Sequence, residues 1–112
     1  MECIRILSDL QQETGNPVYA FCLMPDHAHL LLEATAAFPV PSFVGRWKSL
    51  CYRARRRRNP DVFWQRSFFD RAVRSGEDLR QVALYILNNP VRKGLVEDFR
   101  SYPLCGSLQW EI

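Results

Sequence analysis

Apolar positions along this chain follow two periods, and the period changes mark the elements. Ile4, Leu7 and Leu10, with Gln11, recur at helical spacing, and "TGNP" ends that helix. Val18 to Met24, "VYAFCLM", is rich in β-formers and predicts a strand. "PD" predicts a tight turn, and "HAHLLLE" the second strand of a hairpin. "ATAAFPVP" reads as a loop. A helix is expected from Ser42, with Ser42 as N-cap and Phe43, Trp47, Leu50, Cys51 and Ala54 along one side. It runs into "RARRRRNP" and stops before Pro60. "VFWQRSFFDRAVRS" mixes aromatics and arginines without a period and reads as an irregular loop plus one strand. "SGEDLRQVALYILNN" is the clearest helix. Ser75 and Asp78 form an S-x-x-D capping box, and Leu79, Val82, Ala83 and Ile86 make the apolar stripe. The tail after Asn89 reads as a short helical turn and loops.

These elements define an α+β fold: a small antiparallel sheet with helices packed mainly on one face. The 112 residues suit a single domain, 1–112, with a modest core. No apolar run approaches the roughly 20 residues that span a bilayer, so no membrane role is expected. "MECIRILSDLQQE" carries acids early and lacks a long apolar stretch, unlike a signal peptide. Cys3, Cys22, Cys51 and Cys105 are widely spaced with no CxxC pair, which predicts buried thiols and a cytoplasmic protein.

Charge adds a partner. The net charge is +3, but the excess is arginine and it is clustered. Arg46, Lys48, Arg53, Arg55, Arg56, Arg57 and Arg58 lie on or after the second helix. Trp64, Arg66, Phe68, Phe69 and Arg71 follow. Arginine interleaved with aromatics suits phosphate contact plus base stacking on single strands or hairpins. A solvated helix end that places cations near its C-terminus is the plainer reading.

Both histidines of the chain, His27 and His29, lie two residues apart on the second hairpin strand. Side chains alternate on a strand, so both point to one face, with bases about 6 to 7 Å apart. Two imidazoles so placed can lean onto one divalent cation, although a metal needs more donors. Half-buried histidines bonded to backbone are the plainer reading. On the clearest helix, Tyr85 and Asn89 are four residues apart and share one flank of the core stripe, about 6 Å apart along the axis. They could face the histidine strand. A tyrosine with a core ring and a surface hydroxyl, beside an asparagine that ends the helix before Pro90, is the alternative.

Together these stretches carry a resemblance. "MPDHAHLLLE" followed by "FWQRSFFDRAVRSGEDLRQVALYILNNPVRKGLV" is similar to the REP-associated and insertion-sequence single-tyrosine transposases of the His-hydrophobic-His nuclease superfamily. That family carries an "MP-[ND]-H-x-H" strand, a "WQR-x-F" segment and a helix with "YI-x-x-NP-V-[RK]-x-G-L-V". All three occur here in order, across about residues 3 to 100. The resemblance implies a ferredoxin-like sheet. It implies a divalent metal, Mg²⁺ or Mn²⁺, held by His27, His29 and Asn89. It further implies Tyr85 as the nucleophile that cleaves single-stranded or hairpin DNA through a 5′-phosphotyrosine, in a homodimer. Relatives begin with a strand beside the histidine strands, whereas this chain opens on a helix, so the sheet is expected to lack that strand. An open edge on the histidine strand would also invite pairing with another chain. Arg71 stands after "FFD", where relatives often carry histidine. Two other functions fit the residues: a DNA-hairpin-binding remnant without activity, or a small α+β interaction module with structural histidines.

The arginine run generates a test. Replacing Arg55, Arg56, Arg57 and Arg58 with Gln is expected to weaken binding to different single strands alike. It should also flatten the salt dependence, by about 0.7 log unit for each phosphate that is no longer neutralised. Titrations of fluorescent oligonucleotides at several salt concentrations measure this. An unchanged slope would make the run a solvated helix end.

Overall fold

The computed structural model describes residues 2–24, 27–58, 67–70 and 78–111, with the backbone alone at 55–58 and 67–70. The chain divides into two compact units. One holds two helices, α1 (Glu2–Thr14) and α2 (Val40–Arg58). The other holds the strands β1 (Val18–Leu23), β2 (His27–Leu32), β3 (Ser67–Asp70) and β4 (Cys105–Gly106). It also holds the helices α3 (Leu79–Leu87) and α4 (Asn89–Arg92) and a 3₁₀ turn at Phe99–Ser101.

In the helical unit, α1 buries Cys3, Leu7 and Leu10, the i, i+4, i+7 face; Ile4 is half-buried at its flank. Gly15, at φ +78°, ends the helix, and its N–H donates to the Gln11 carbonyl at 2.9 Å. Glycine meets no steric penalty in that left-handed conformation. α2 buries Phe43, Val44, Trp47, Cys51 and Ala54, while Leu50 is half-buried. The Trp47 indole N–H donates to the Cys3 carbonyl at 2.9 Å, which ties α2 to α1. α2 starts at Val40, so Ser42 is not its cap. Pro41 falls in the first turn, where its missing N–H costs nothing and its fixed φ suits a helix. Asn16, fully buried, donates through Nδ2 to the carbonyls of Glu33 and Phe38 at 3.0 and 2.9 Å. It thereby satisfies two loop carbonyls that lie outside any helix or ladder.

The sheet order is β3-β2-β1-β4. β1 pairs antiparallel with β2, in the register Cys22 opposite His29 and Ala20 opposite Leu31. This is the expected hairpin. Its loop residues Pro25 and Asp26, where the turn was expected, lie outside the described residues; the Met24 N–H donates to the His27 carbonyl at 2.8 Å beside them. β4, a two-residue strand that the sequence pattern did not reveal, pairs antiparallel with the other edge of β1. β3 pairs parallel with β2. A parallel pair needs a long crossover, and residues 33–66 supply one that includes α2. β2 is therefore an interior strand, and the open edge expected for it is corrected. The α+β class stands as expected.

One face of this sheet packs under α3. Ala20, Cys22, Met24 and Leu31 form a buried cluster with Val82, Ala83, Ile86, Leu87 and Phe99. Val82, Ala83 and Ile86 belong to the predicted stripe, and Leu79 packs at its margin. α3 begins at Leu79, later than a cap at Ser75 would start it. Its N-cap is Asp78, whose side chain accepts from the Arg80 N–H at 2.9 Å, and Ser75 lies outside the described residues. Aspartate is itself a strong cap, so no serine is needed.

None of the four cysteines is in a disulfide. Cys3, Cys22 and Cys51 are buried as expected, and Cys105 is half-buried. Cys22 and Cys105 face each other across β1 and β4.

Candidate active site

The histidines stand where strand alternation puts them. His29 lies opposite Cys22, whose side chain packs under α3, so His29 and His27 occupy the α3 face of the sheet. Both are half-buried. Their ring centroids are 4.9 Å apart and the rings are nearly perpendicular, at 83°. Burial, then the neighbouring His27, then the Arg92 guanidinium hold the His29 pKa below its ordinary value. A neutral imidazole is the form that ligates a metal.

The other half of the site grows out of the end of α3. In a continuous α-helix the Ile86 carbonyl would accept from residue 90, but residue 90 is proline and has no N–H. The Asn89 side chain takes its place: Nδ2 donates to the Ile86 carbonyl at 2.9 Å. Asn89 is only 8% exposed, so this bond matters to a buried amide. With Nδ2 committed, the amide oxygen faces away and accepts from the Arg92 guanidinium at 2.9 Å. Arg92 in turn lies over the Tyr85 ring, 3.9 Å from its centroid. Tyr85 is 65% exposed. Its ring is thus held by a cation on one face rather than by the core, which differs from the packed ring expected from the helical pattern. The turn after α4 closes at Gly94, φ +74°, where Gly94 and Leu95 N–H groups donate to the Val91 and Pro90 carbonyls. This is a Schellman closure, and it explains the glycine in "VRKGLV".

Tyr85, Asn89 and Arg92 therefore form one side-chain chain at positions i, i+4 and i+7. Arg92 also acts on His29 through its charge, which ties this group to the histidine pair. Arg92 was not among the residues singled out from sequence. Its spacing from Tyr85 and Asn89 was the available signal, but an arginine after a helix end reads equally well as a dipole partner.

The other tyrosines are differently engaged. Tyr102 donates its hydroxyl to the Leu23 carbonyl at 2.9 Å, and burial raises its pKa. Tyr19 stacks on Trp110, with centroids 5.4 Å apart. Tyr52 is half-buried on α2. Cys22, although opposite His29, is a poor ligand. Its hydrogen bond with Cys105 and its burial push its thiol far up, and a thiol is not the ligating form. Among the described residues, no group of three or more His, Cys, Asp or Glu side chains could hold a metal. The candidate donors are two imidazoles on β2 and an amide oxygen at the start of α4. Each fits a divalent cation that shares its remaining positions with phosphate or water.

Of the expected DNA-contacting residues, Arg46 pairs with Glu13 at 2.9 Å, both side chains about half exposed. Such a surface pair is weak and exchangeable. Lys48 is half-buried and Arg53 exposed. Arg55, Arg56, Arg57 and Arg58 form the last turns of α2. Arg66 and Arg71 lie outside the described residues. Among the described residues no helix is long and apolar enough to cross a membrane.

With the histidine pair and the tyrosine helix on one sheet face, the chain can be placed by comparison. It belongs to the IS200-like transposase family, whose model, described as "Transposase IS200 like", matches residues 1–89. It is 29% identical over 96 residues to a protein of Haemophilus influenzae named as a REP-associated tyrosine transposase. That match covers 75% of this chain and 54% of the relative, so the chain spans about half the length of the curated relative it matches. No solved structure matches the chain significantly.

The His29 shift has a sign. Folded His29 releases its proton at a lower pH than the unfolded chain does. Between the folded value and about 6.5, the unfolded state binds more protons, so stability rises with pH across that window. Acidification through it is expected to lower the urea midpoint, and His29→Gln should flatten that dependence. An NMR titration of the folded protein should give His29 a midpoint below 6.5; a midpoint at or above 6.5 would contradict the burial argument.

Proposed function

We propose that this chain is the catalytic region of a strand-transferring DNA nuclease, in which Tyr85 attacks the scissile phosphate of single-stranded or hairpin DNA. The observation that carries this reading is the sharing of one sheet face by the His27–His29 pair and α3, which bears Tyr85 and leads into Asn89 at the start of α4, in a member of a transposase family. The family match, residues 1–89, reaches into both compact units, which supports their acting as one functional domain.

The residues divide the work. His27 and His29 would hold a divalent cation, Mg²⁺ or Mn²⁺, of which Mn²⁺ accepts imidazole more readily. Asn89 can add the second lone pair of its amide oxygen, since Arg92 uses one. When bound, the cation supplies Lewis-acid neutralisation of charge on the non-bridging phosphate oxygens. Tyr85 presents an exposed phenol. Its oxygen forms the new bond to phosphorus and its proton passes to solvent, while the bond to the 3′ oxygen breaks and that oxygen takes a proton from solvent. The products are a 5′-phosphotyrosine and a strand ending in a 3′-OH. One ester replaces another, so rejoining needs no outside energy source. The arginines of α2 supply phosphate contacts that are blind to sequence. The partner is then single-stranded or hairpin DNA. A homodimer remains part of this reading, without the edge-strand pairing first expected for β2.

The test is a trapped adduct. The full chain, incubated with hairpin oligonucleotides and Mn²⁺, should form a covalent complex whose nucleotide maps by mass spectrometry to "QVALYILNNPVR". Tyr85→Phe keeps the ring and should abolish the adduct while leaving fold and hairpin affinity near wild type. His27→Ala or excess chelator should abolish cleavage with affinity retained. An adduct on another tyrosine, or one that survives Tyr85→Phe, would refute the mechanism. Hairpin binding with no adduct on any substrate would identify a binding remnant.

A further inference from the structure

Arg92 has contacts that a solubilising surface charge does not need. Its guanidinium carbon Cζ stands over the Tyr85 ring, 3.9 Å from the centroid, well inside the range of a cation–π contact. The same group donates to the Asn89 oxygen at 2.9 Å. Its hydrogen bond goes to an amide, which is itself fixed from the other side by the Ile86 carbonyl. The Schellman closure at Gly94 anchors the backbone two residues further on. Arg92 is thus held at its base by the closing turn and at its tip by a buried amide, with an exposed tyrosine ring resting on it.

We propose that Arg92 is a positioning residue for the Tyr85 nucleophile. It clamps the ring by one face and ties it through Asn89 to the buried end of α3, so that the phenol oxygen stands in one place. The argument is geometric. Tyr85 projects from the exposed side of α3 and is 65% accessible, so the apolar core cannot fix its rotamer. An unrestrained ring on a helix surface samples several staggered wells. Attack on phosphorus requires the oxygen in line with the leaving group, and misplacement by about 1 Å can cost about 10²-fold in rate. The guanidinium is a planar group, and the contact leaves Tyr85 65% exposed. Lysine has no such plane and presents a point charge on a flexible stem.

This inference rests on Tyr85 being the nucleophile, and the experiment separates the two claims. Single-turnover adduct formation is measured with a labelled hairpin oligonucleotide and Mn²⁺, for wild type, Arg92→Gln and Arg92→Lys, each with its oligonucleotide Kd and melting temperature. Alongside, the Tyr85 ring is read by NMR in full-length protein labelled with ¹³C-tyrosine. Arg92→Gln is expected to lower the rate at saturating DNA by about 10- to 100-fold, with Kd changed less than about threefold. Its Tyr85 ring signals should move toward those of a freely rotating tyrosine. Arg92→Lys should restore charge but recover little of the rate. An effect confined to Kd, with full rate at saturation, would make Arg92 a phosphate ligand and overturn the proposal. Full recovery by lysine would overturn it too, since charge alone would suffice. Unchanged ring signals and rate in folded Arg92→Gln would show that the stack does no positioning. If wild type forms no adduct at Tyr85, the nucleophile reading itself fails and this inference falls with it.

Discussion

Pro90 cannot donate to the Ile86 carbonyl, and the Asn89 amide does so in its place. Much of the site follows from that substitution. The amide nitrogen is committed inward, so the amide oxygen must face outward. Arg92, one turn on, reaches it, and in doing so lies over Tyr85. A backbone deficiency at the helix break is thereby converted into a fixed array of side chains. The same break separates α3, which packs on the sheet, from α4, whose Val91 packs against the same cluster before the turn closes at Gly94. The "NNPVRKG" stretch therefore has a physical explanation that does not depend on any function.

The histidine strand shows a different constraint. β2 has neighbours on both sides, β1 antiparallel and β3 parallel. A strand held on both edges has its register fixed, and a one-residue slip would turn His27 and His29 to the other face. The pairing of Cys22 with His29 sets that register on the β1 side. On the same row Cys105 faces Cys22, and the hydrogen bond between the two side chains keeps Cys22 in the thiol form. The imidazoles are left as the candidate metal ligands of that face. Burial, the largest cause of the lowered His29 pKa, favours the neutral state of that imidazole.

The hairpin and α3 were legible because local composition and tertiary environment agree there. "VYAFCLM" is rich in β-formers and nearly all buried, and the Val82–Ala83–Ile86 stripe faces the sheet as its period requires. The start of α2 was misread because two prolines, at positions 39 and 41, look like loop punctuation, yet Pro41 fits a first helical turn. The parallel pairing of β3 was not legible because no local pattern encodes the partner of a four-residue strand. β4 is shorter still, and its two residues carry no period at all. Within the site, His27, His29, Tyr85 and Asn89 could be named from spacing and resemblance. Arg92 falls on the arginine-or-lysine position of the helix motif, but its role was not legible, because that depends on where an amide oxygen points, and this is decided by the missing donor at Pro90.

The central claim is spatial: we propose that the His27–His29 pair, Tyr85 on α3 and Asn89 at the start of α4 share one metal site. Paramagnetic broadening by Mn²⁺ tests it most directly, because it needs neither DNA nor turnover. Sub-stoichiometric Mn²⁺ added to the isotopically labelled full chain should broaden the His27 and His29 ring signals first. The Asn89 side-chain amide and the Tyr85 ring should broaden next, ahead of Tyr19, Tyr52 and Tyr102, and His27→Ala should remove the effect at all four positions. Broadening centred elsewhere, or at the histidines without Asn89 and Tyr85, would contradict the account.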